Sequence, residues 1–258
     1  MAELEYDKTG PVATITLNRP ARRNALTIAM VDGWVEALLD AQADGTVRAI
    51  VVTGAGEAFC SGIDLEVFGD LVHDPVRIKH ALTRHIHQVA LTLEQIDKPV
   101  IAAVPGAAVG AGMDMALLCD YRFASPTATF CEGYIRVGAV PGDGGCWLLP
   151  RVVGTSRALR LLWTGETVPA EEALALGIVD EIVDDPILAA AEFSEVLAAR
   201  PPLAVQAIKR AVRQGARHDL PTALDLISSH FAMIAATNDA TEALEAFRTG
   251  RAPSFHGS

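Results

Sequence analysis

Two glycine-containing turns are the parts of this chain whose residue types and spacing could do chemistry. Each follows a short apolar stretch and leads into a predicted helix, and together they cover residues 51–64 and 100–114. Glycine lets the backbone pass close to a ligand, and the first residues of a helix have N–H groups without partners. Two such turns side by side would direct a pair of backbone donors at one oxygen that becomes negative during a reaction. The alternative is that both loops only turn the chain.

These turns lie within a recurring order of strands and helices, joined by connections of ordinary length. The predicted strands are residues 4–6, 12–17, 49–53, 100–104, 120–124 and 127–134. The predicted helices are residues 30–41, a helix from about 64, 81–96, 112–118 and a helix at 147–149. Phe130, Glu132 and Tyr134 would share one face of the last strand, and the mixed stretch 69–79 is predicted to be a variable loop. This order indicates a coiled, repeating α/β layout.

The last third of the chain changes in character. Helices are predicted at residues 156–163, 170–176, 187–199, 203–214 and 223–247, with one strand-like interruption at 177–183. A helical part this rich in Ala and Leu usually packs on the core or on another subunit. We therefore predict a spiral core at residues 1–190 and a C-terminal helical region at residues 191–258.

The bulk composition limits the function classes. The 258 residues are 50% hydrophobic with a net charge of −11, which suits one substantial core and disfavours binding to nucleic acid or to an anionic membrane surface. No apolar run reaches the roughly 18 residues of a membrane helix, and the N-terminus has no apolar segment of a signal peptide. The four cysteines are Cys60, Cys119, Cys131 and Cys146, and none of them forms a CxxC pair. We therefore predict that they are free thiols and that the protein is located in the cytoplasm.

Taken together, several motifs resemble the crotonase (enoyl-CoA hydratase/isomerase) superfamily. The matching segments are residues 15–20 with 24–26, 59–65, 110–116 with 119–120, 138–150, 164–165 and 173–179. The resemblance as a whole covers nearly the entire chain up to about residue 215. It implies an α/β fold, a crotonase-like spiral of ββα repeats with a C-terminal helical trimerisation region. It also implies a homotrimer or a dimer of trimers. The implied substrate is an acyl-CoA thioester, with no cofactor other than the coenzyme A that the substrate brings.

The resemblance assigns the two backbone donors to the N–H groups of Ile63 and Ala111. Removing a proton next to a thioester, or adding a nucleophile to its conjugated double bond, puts negative charge on the carbonyl oxygen. Losing one such donor in acyl-transfer enzymes costs about 3–4 kcal/mol, and Ala111 also lies at a predicted helix N-terminus, where the helix dipole adds to the effect.

The resemblance assigns the coenzyme A contacts to individual residues less specifically than the two backbone donors. Arg23 matches a position at which the family has a basic side chain near the CoA phosphates, although an exposed arginine is often only solvated. The other residues at the expected CoA site are Ala25, Ser61 and Leu65.

The carboxylates depart from the usual pattern of the family. Its hydratases use two glutamates to activate one water, and the matching positions here are Asp114 and Tyr134. Dienoyl-CoA isomerases and some CoA-ester dehalogenases of the family have an aspartate at the position of Asp143, which makes a shuttle between two aspartates a reasonable expectation. Glu132 is the candidate that would partly replace the missing glutamate. Alternatively, Asp114 only stabilises a helix start, Asp143 caps a helix, and Glu132 lies in a surface ion pair.

An acid or base in this site would need an apolar surrounding, because burial raises the pKa of a carboxyl towards neutrality. The predicted walls of the acyl pocket are Phe68, Tyr134, Trp147 and Leu148. The seven histidines form no metal-binding motif, so we expect no metal.

The resemblance therefore implies an enoyl-CoA hydratase or double-bond isomerase that works through a thioester enolate, with Asp143 favouring isomerisation. The alternatives are an acyl-CoA-binding protein without activity, or a CoA-ester dehalogenase or hydrolase with Asp143 as nucleophile. A nicotinamide site is disfavoured because Phe59 stands where the dinucleotide fingerprint needs its third glycine. A serine hydrolase is disfavoured because there is no GxSxG motif.

Overall fold

The computed structural model describes residues 2–71 and 73–258. The strands are β1 Leu4–Thr9, β2 Val12–Leu17, β3 Ala49–Gly54, β4 Ala58–Cys60, β5 Val100–Val104, β6 Ala107–Val109, β7 Tyr121–Ala124, β8 Thr129–Cys131, β9 Val168–Pro169 and β10 Glu181–Ile182. The α-helices are α1 Ile28–Ala43, α2 Leu65–Leu71, α3 Pro75–Ala81, α4 His87–Gln95, α5 Ala111–Leu118, α6 Gly145–Val153, α7 Thr155–Thr164, α8 Ala170–Leu176, α9 Pro186–Ala198, α10 Pro202–Gly215, α11 Leu220–Ala235 and α12 Asn238–Thr249. Short 3-10 turns cover Pro20–Arg22 and Gly133–Val137, and a π-helical turn, Leu82–Ile86, joins α3 to α4.

The strands form two sheets that the chain visits in alternation. The larger sheet has the order β1-β2-β3-β5-β7-β10, and the smaller has the order β4-β6-β8-β9. The pairs β3–β4, β5–β6 and β7–β8 each place one strand in the larger sheet and the next in the smaller sheet before a helix follows. In this ββα repeat, α2 follows β4, α5 follows β6, and α6 follows β8 after a 3-10 turn.

The larger sheet is covered on both faces, which explains why β3 and β5 are buried along their whole length. One face packs against α1 and α4, where Trp34 is fully buried. The other face packs against α9, and the Phe193 ring lies 5.0 Å from the Tyr121 ring and 5.9 Å from the Phe123 ring. The predicted boundary at residue 190 falls inside α9.

The prediction of a loop at residues 69–79 is wrong for most of that stretch. The helix α2 continues to Leu71, and α3 begins at Pro75. Asp74 caps α3 by accepting hydrogen bonds from the N–H groups of the next turn, and Pro75 suits the first helical position. The mixed composition hid this start signal. Val72, from the same stretch, lies outside the described residues.

Two further predictions of secondary structure need correction. The strand predicted at residues 127–134 ends at Cys131, because Glu132 leaves the extended conformation and the 3-10 turn begins at Gly133. Glu132 and Tyr134 therefore do not share a strand face. The helix predicted at residues 223–247 is two helices, since Thr237 accepts a hydrogen bond from the N–H of Ala240 and starts α12.

Helix α10 attaches to the core through charged side chains. Arg213 of α10 lies 2.8 Å from Asp120, which precedes β7. The outer faces of α10 to α12 remain strongly apolar, with Val212, Phe231 and Phe247 exposed. Within residues 2–71 and 73–258, none of the helices combines the length and the apolar character that crossing a membrane requires. All four cysteines are free thiols, and only Cys146 is exposed.

Candidate active site

The two glycine-containing turns lie side by side in the structure. Their short strands β4 and β6 pair in parallel. Gly62 adopts φ +94°, and a Cβ atom there would lie 2.9 Å from the Val109 oxygen and 3.6 Å from the Ala111 nitrogen. Only glycine tolerates both this backbone angle and this close approach. The result is that Ile63, the next residue, is brought beside Ala111.

The backbone N–H groups of Ile63 and Ala111 have no acceptor among the described residues. The chain around Ile63 is fixed by its neighbours, because Leu26 donates to the Gly62 oxygen at 2.8 Å and Asp64 donates to the Leu26 oxygen at 3.0 Å. Ala111 is the first residue of α5, so its N–H has no partner within the helix. Both donors are held in place and available to a ligand oxygen.

A cavity of about 600 Å³ opens at these two donors. Ile63, Ala111 and Tyr134 line it. The residues predicted to contact coenzyme A that also line it are Ala25, Ser61 and Leu65. The cavity thus joins the predicted CoA positions to the predicted oxyanion position.

The basic residue at this cavity differs from the one expected. Arg23 is exposed and does not line the cavity, whereas Arg22 and Arg136 do. Arg23 sits in a left-handed conformation with φ 48°, and its carbonyl accepts a hydrogen bond from the N–H of Ser61. The tight turn therefore uses the backbone of Arg23 and leaves Arg22, 3.0 Å from Glu66, to face the cavity.

Three predicted wall residues, Phe68, Trp147 and Leu148, do not line this cavity. Trp147 and Leu148 line a different cavity of about 490 Å³ beside α10, where the Arg151 guanidinium stacks 3.9 Å from the Trp147 ring centre. Phe68 is partly buried on α2 and is likewise not part of the lining. Apolar residue type at a helix start does not determine which side of the helix a residue occupies.

Tyr134 joins the two aspartates behind the cavity. Its hydroxyl oxygen lies 2.7 Å from Asp114 Oδ2 and 2.6 Å from Asp143 Oδ2. Asp114 is 0% exposed and Asp143 is 4% exposed. The Tyr134 ring packs on Gly110, where a Cβ atom would lie 3.6 Å from the ring. Tyr134 thus lies between the cavity and the two carboxyls, which do not line the cavity themselves.

This arrangement fixes the number of protons. A phenol has one proton and can donate it to only one of the two carboxyl groups. The other carboxyl must carry a proton itself and donate it to the phenol oxygen. Burial raises the pKa of Asp114 to about 7, although the Tyr134 hydroxyl opposes this, and burial also raises the pKa of Asp143. The site therefore holds one carboxylate and one carboxylic acid across one phenol near neutral pH.

Glu132 belongs to the same cluster, although not through the predicted strand face. Its side chain is 1% exposed, and neither carboxyl oxygen has a partner in the described part of the chain, which excludes a surface ion pair. Both carboxyls lie beside Gly145: a Cβ there would lie 2.5 Å from Asp114 Oδ1 and 3.0 Å from Glu132 Oε2. Burial first, and then the charge of Asp114, raise the pKa of Glu132 to about 10.

Asp143 is not a helix cap. Gly144, with φ 121°, occupies the cap position of α6, and no side chain caps this helix. The Asp143 side chain instead turns towards Tyr134. The segment before it is held from α4, because His87 Nε2 lies 2.7 Å from the Gly142 oxygen.

Comparison with known proteins identifies the family. A family model described as Enoyl-CoA hydratase/isomerase matches residues 7–258. The chain belongs to this family. The fold is the crotonase fold: an enoyl-CoA hydratase from Bacillus anthracis superposes with a TM-score of 0.94, at 32% identity and with 100% of both chains covered.

Relatives of this enoyl-CoA hydratase/isomerase family member have different reactions in their names. It is 36% identical to a 1,2-epoxyphenylacetyl-CoA isomerase of Escherichia coli over 95% of both chains. It is also 36% identical to an (E)-benzylidenesuccinyl-CoA hydratase of Thauera aromatica over 96% of both chains. The family is therefore established, and the choice of reaction has to be argued from the site.

Some features of the site were not anticipated from the sequence of this family member. Nothing in the sequence indicated a role for His87, because the spacing of histidines on a helix does not reveal a hydrogen bond to the distant Gly142. Tyr134 was expected only as a wall, although its position opposite the family's missing glutamate was the available signal. Gly145 lay in the matching segment 138–150, but its contact with two carboxyls depends on the folded positions of Asp114 and Glu132.

Proposed function

We propose that this protein is an enoyl-CoA double-bond isomerase that works through a thioester enolate. The observation that carries the proposal is the position of the Tyr134 hydroxyl oxygen, 2.7 Å from Asp114 and 2.6 Å from Asp143. Hydratases of this family use a pair of carboxylates to hold and activate one water. Here a phenol oxygen occupies the place between two carboxyls. A phenol can pass a proton along but cannot be added to the substrate, so the site favours proton transfer over hydration.

The oxyanion is assigned to the two backbone donors. The thioester carbonyl oxygen of the substrate would accept hydrogen bonds from the N–H groups of Ile63 and Ala111, which line the cavity and have no acceptor among the described residues. Fixed donors of this kind stabilise charge as it develops, without reorganisation. The N-terminal end of α5 adds its dipole at Ala111.

The proposed reaction moves the double bond of a 3-enoyl-CoA to the 2-position. The C2–H bond breaks, the proton passes to Tyr134 while the phenol proton passes to the ionised aspartate, and the electron pair moves to the thioester oxygen. The electrons then return, C4 takes a proton that the protonated aspartate supplies through Tyr134, and the C3–C4 double bond becomes C2–C3. A proton then returns through Tyr134 from the newly protonated aspartate to the other one, which restores the resting enzyme, so atoms and charge balance and no water is consumed.

The pKa values suit this role. Burial, and then the charges of Asp114 and Asp143, raise the pKa of Tyr134 above its ordinary value, so the phenol keeps its proton between turnovers. The pKa of Asp114 near 7 places the carboxyl pair where one acid and one base coexist at neutral pH. We assign Asp143 as the second member of this pair.

Hydration is the second candidate function, because relatives are named hydratases. The test compares initial rates with a 3-enoyl-CoA and with crotonyl-CoA under the same conditions. We expect isomerisation to exceed hydration by about a hundredfold. Hydration at an equal or greater rate would overturn the proposal.

The remaining alternatives have separate outcomes in the same assay. Binding of coenzyme A without turnover of any ester would favour a binding protein. Release of free thiol or halide would favour a hydrolase or dehalogenase. The structure gives little support to Asp143 as a nucleophile, because one of its oxygens contacts Tyr134 and burial raises its pKa.

Assembly and location remain proposals as well. We propose a homotrimer or a dimer of trimers, supported by the exposed apolar residues of α10 to α12, and a cytoplasmic location, supported by four free thiols. Light scattering on the purified protein tests the assembly, and a monomeric mass would contradict it.

A further inference from the structure

We propose that Glu132 is a positioning residue that keeps its own proton and donates it to Asp114 Oδ1, which fixes Asp114 as the acceptor of the proton relay. The inference rests on the isomerase function proposed above. It differs from a direct catalytic role, because Glu132 does not line the cavity and reaches the substrate only through Asp114 and Tyr134.

The geometry begins with three oxygens that have no partner. Both carboxyl oxygens of Glu132 and Oδ1 of Asp114 are buried without a hydrogen-bond partner in the described chain. All three face the same side of Gly145, where a Cβ atom would lie 2.5 Å from Asp114 Oδ1 and 3.0 and 3.1 Å from the two Glu132 oxygens. Buried acceptors without donors are costly, and two neighbouring ionised carboxylates are more so.

One proton between the two carboxyls removes most of this cost. A Glu132 hydroxyl that donates to Asp114 Oδ1 gives a partner to both groups and leaves one negative charge instead of two. The space beside Gly145 is already filled by the carboxyl oxygens themselves, since even a methyl group there would overlap them. We therefore assign the hydrogen bond between these oxygens to a proton of one of the carboxyls.

Glu132, and not Asp114, is the group that keeps this proton. Asp114 has a second stabilising contact through Oδ2, which lies 2.7 Å from the Tyr134 hydroxyl, whereas Glu132 has no other donor among the described residues. The negative charge is thus better accommodated on Asp114. Burial is the chief cause that raises both pKa values, to about 10 for Glu132 and to about 7 for Asp114. The higher value belongs to Glu132, in agreement with the contacts.

The four side chains Glu132, Asp114, Tyr134 and Asp143 then form one hydrogen-bonded chain. The proton of Glu132 stays in place during the reaction, whereas the protons of the other three groups move. Glu132 holds one oxygen of Asp114, and Tyr134 contacts the other, so the Asp114 carboxyl plane is fixed. In this proposal Asp114 is the ionised acceptor at rest, and Asp143 carries the transferable proton on the far side of Tyr134. Glu132 acts on the rate through the proton affinity of Asp114.

The test compares Glu132→Ala and Glu132→Gln in the isomerase assay across pH. We expect Glu132→Ala to lower kcat by about a hundredfold with KM nearly unchanged, and to move the acidic limb of the kcat profile to higher pH, because losing a donor disfavours ionised Asp114. Glu132→Gln should recover most of the rate and return the limb to its original position, since the amide can donate to Asp114 Oδ1. A Glu132→Gln variant as slow as Glu132→Ala would overturn the proposal.

A spectroscopic measurement decides the same point without activity. At neutral pH, the infrared difference spectrum of wild-type protein minus Glu132→Gln should contain the C=O stretch of a protonated carboxylic acid. Its absence, with a carboxylate band in its place, would overturn the inference even if Glu132→Ala fails to fold. If the wild-type protein isomerises no ester, the proposed function fails while this spectrum still reports on the proton at Glu132.

Discussion

The hydroxyl oxygen of Tyr134 lies 2.6 Å from Asp143 Oδ2, and the Asp143 side chain is buried. A contact of this length between a phenol and a buried carboxyl requires a shared proton. Because the same phenol oxygen also contacts Asp114, protons can move between the two aspartates through a group that is covalently fixed.

Removing only the Tyr134 hydroxyl should break the relay. We expect Tyr134→Phe to lower kcat for isomerisation by about a hundredfold to a thousandfold, because the aspartates lie behind the ring, while KM stays nearly constant. Steady-state kinetics with a 3-enoyl-CoA measure this. Tyr121→Phe is the matched control, since its hydroxyl contacts Glu181, away from the cavity, and it should behave as wild type. An unchanged kcat in Tyr134→Phe would contradict the relay.

Asp143→Asn tests the transferable proton. The amide keeps the shape of the side chain but cannot exchange a proton with Tyr134, so we expect kcat to fall by about a hundredfold or more. Asp219→Asn serves as control, because Asp219 caps α11 and asparagine also caps helices. If both variants retain the wild-type rate, Asp143 has no part in the chemistry.

Gly145→Ala tests the packing between the carboxyls. The added methyl would lie 2.5 Å from Asp114 Oδ1 and 3.0 Å from Glu132 Oε2, so the two side chains must separate. We expect a loss of roughly 1–3 kcal/mol in the free energy of unfolding and a fall in kcat. Gly45→Ala is the control, with nothing within 4 Å of the added Cβ. Equal stability and activity in both variants would show that the carboxyls do not meet at Gly145.

The stability of the fold should fall as the pH rises. Glu132 has an ordinary pKa of 4.5 that becomes about 10 in the folded protein, and Asp114 changes from 3.8 to about 7. Above about pH 4 these two groups bind more protons in the folded protein than in the unfolded chain, so their contribution to the free energy of unfolding is largest below that pH and decreases as the pH rises through the folded values. Denaturant unfolding at several pH values measures the slope.

Glu132→Gln should make this slope shallower and, at pH 8, raise the free energy of unfolding by on the order of 2 kcal/mol, because the amide needs no proton. Glu36→Gln, at an exposed position on α1, provides the comparison and should leave the slope as it is. A wild-type protein whose stability increases between pH 5 and pH 9 would contradict a protonated Glu132.

His87→Ala tests the support of the Asp143 segment. The imidazole lies 2.7 Å from the Gly142 oxygen, and losing this contact should let Asp143 move away from Tyr134. We expect kcat to fall by about tenfold with little change in KM. His80→Ala on α3 is the control. A wild-type rate in His87→Ala would mean that Leu82, which also packs on Gly142, is sufficient to hold the segment.

Local patterns predicted the parts of the site that are built from backbone. The turns before Ile63 and Ala111 follow from apolar strands, glycines and helix starts, all of which are visible within about a dozen residues. The side-chain cluster does not follow in this way, because Asp114 and Tyr134 meet across 20 positions in the chain. The resemblance placed Asp114, Tyr134 and Asp143 near one another but did not predict that a phenol connects the two aspartates.

The sequence could not predict the direction in which a side chain points from its helix or turn. Trp147 and Leu148 have the apolar character of a pocket wall, yet they line the cavity beside α10. Glu132 was included on the basis of a strand face that does not exist, and it reaches Asp114 only because the chain turns at Gly133 and Gly145 has no side chain. In each case the outcome depends on how two distant elements pack.

The most direct test of the account uses water labelled with heavy oxygen. The protein is incubated with a 3-enoyl-CoA in that water, and the early products are analysed by mass spectrometry. With the Tyr134 oxygen between Asp114 and Asp143, the account predicts a 2-enoyl-CoA that contains no label. A labelled 3-hydroxyacyl-CoA as the main early product would contradict it.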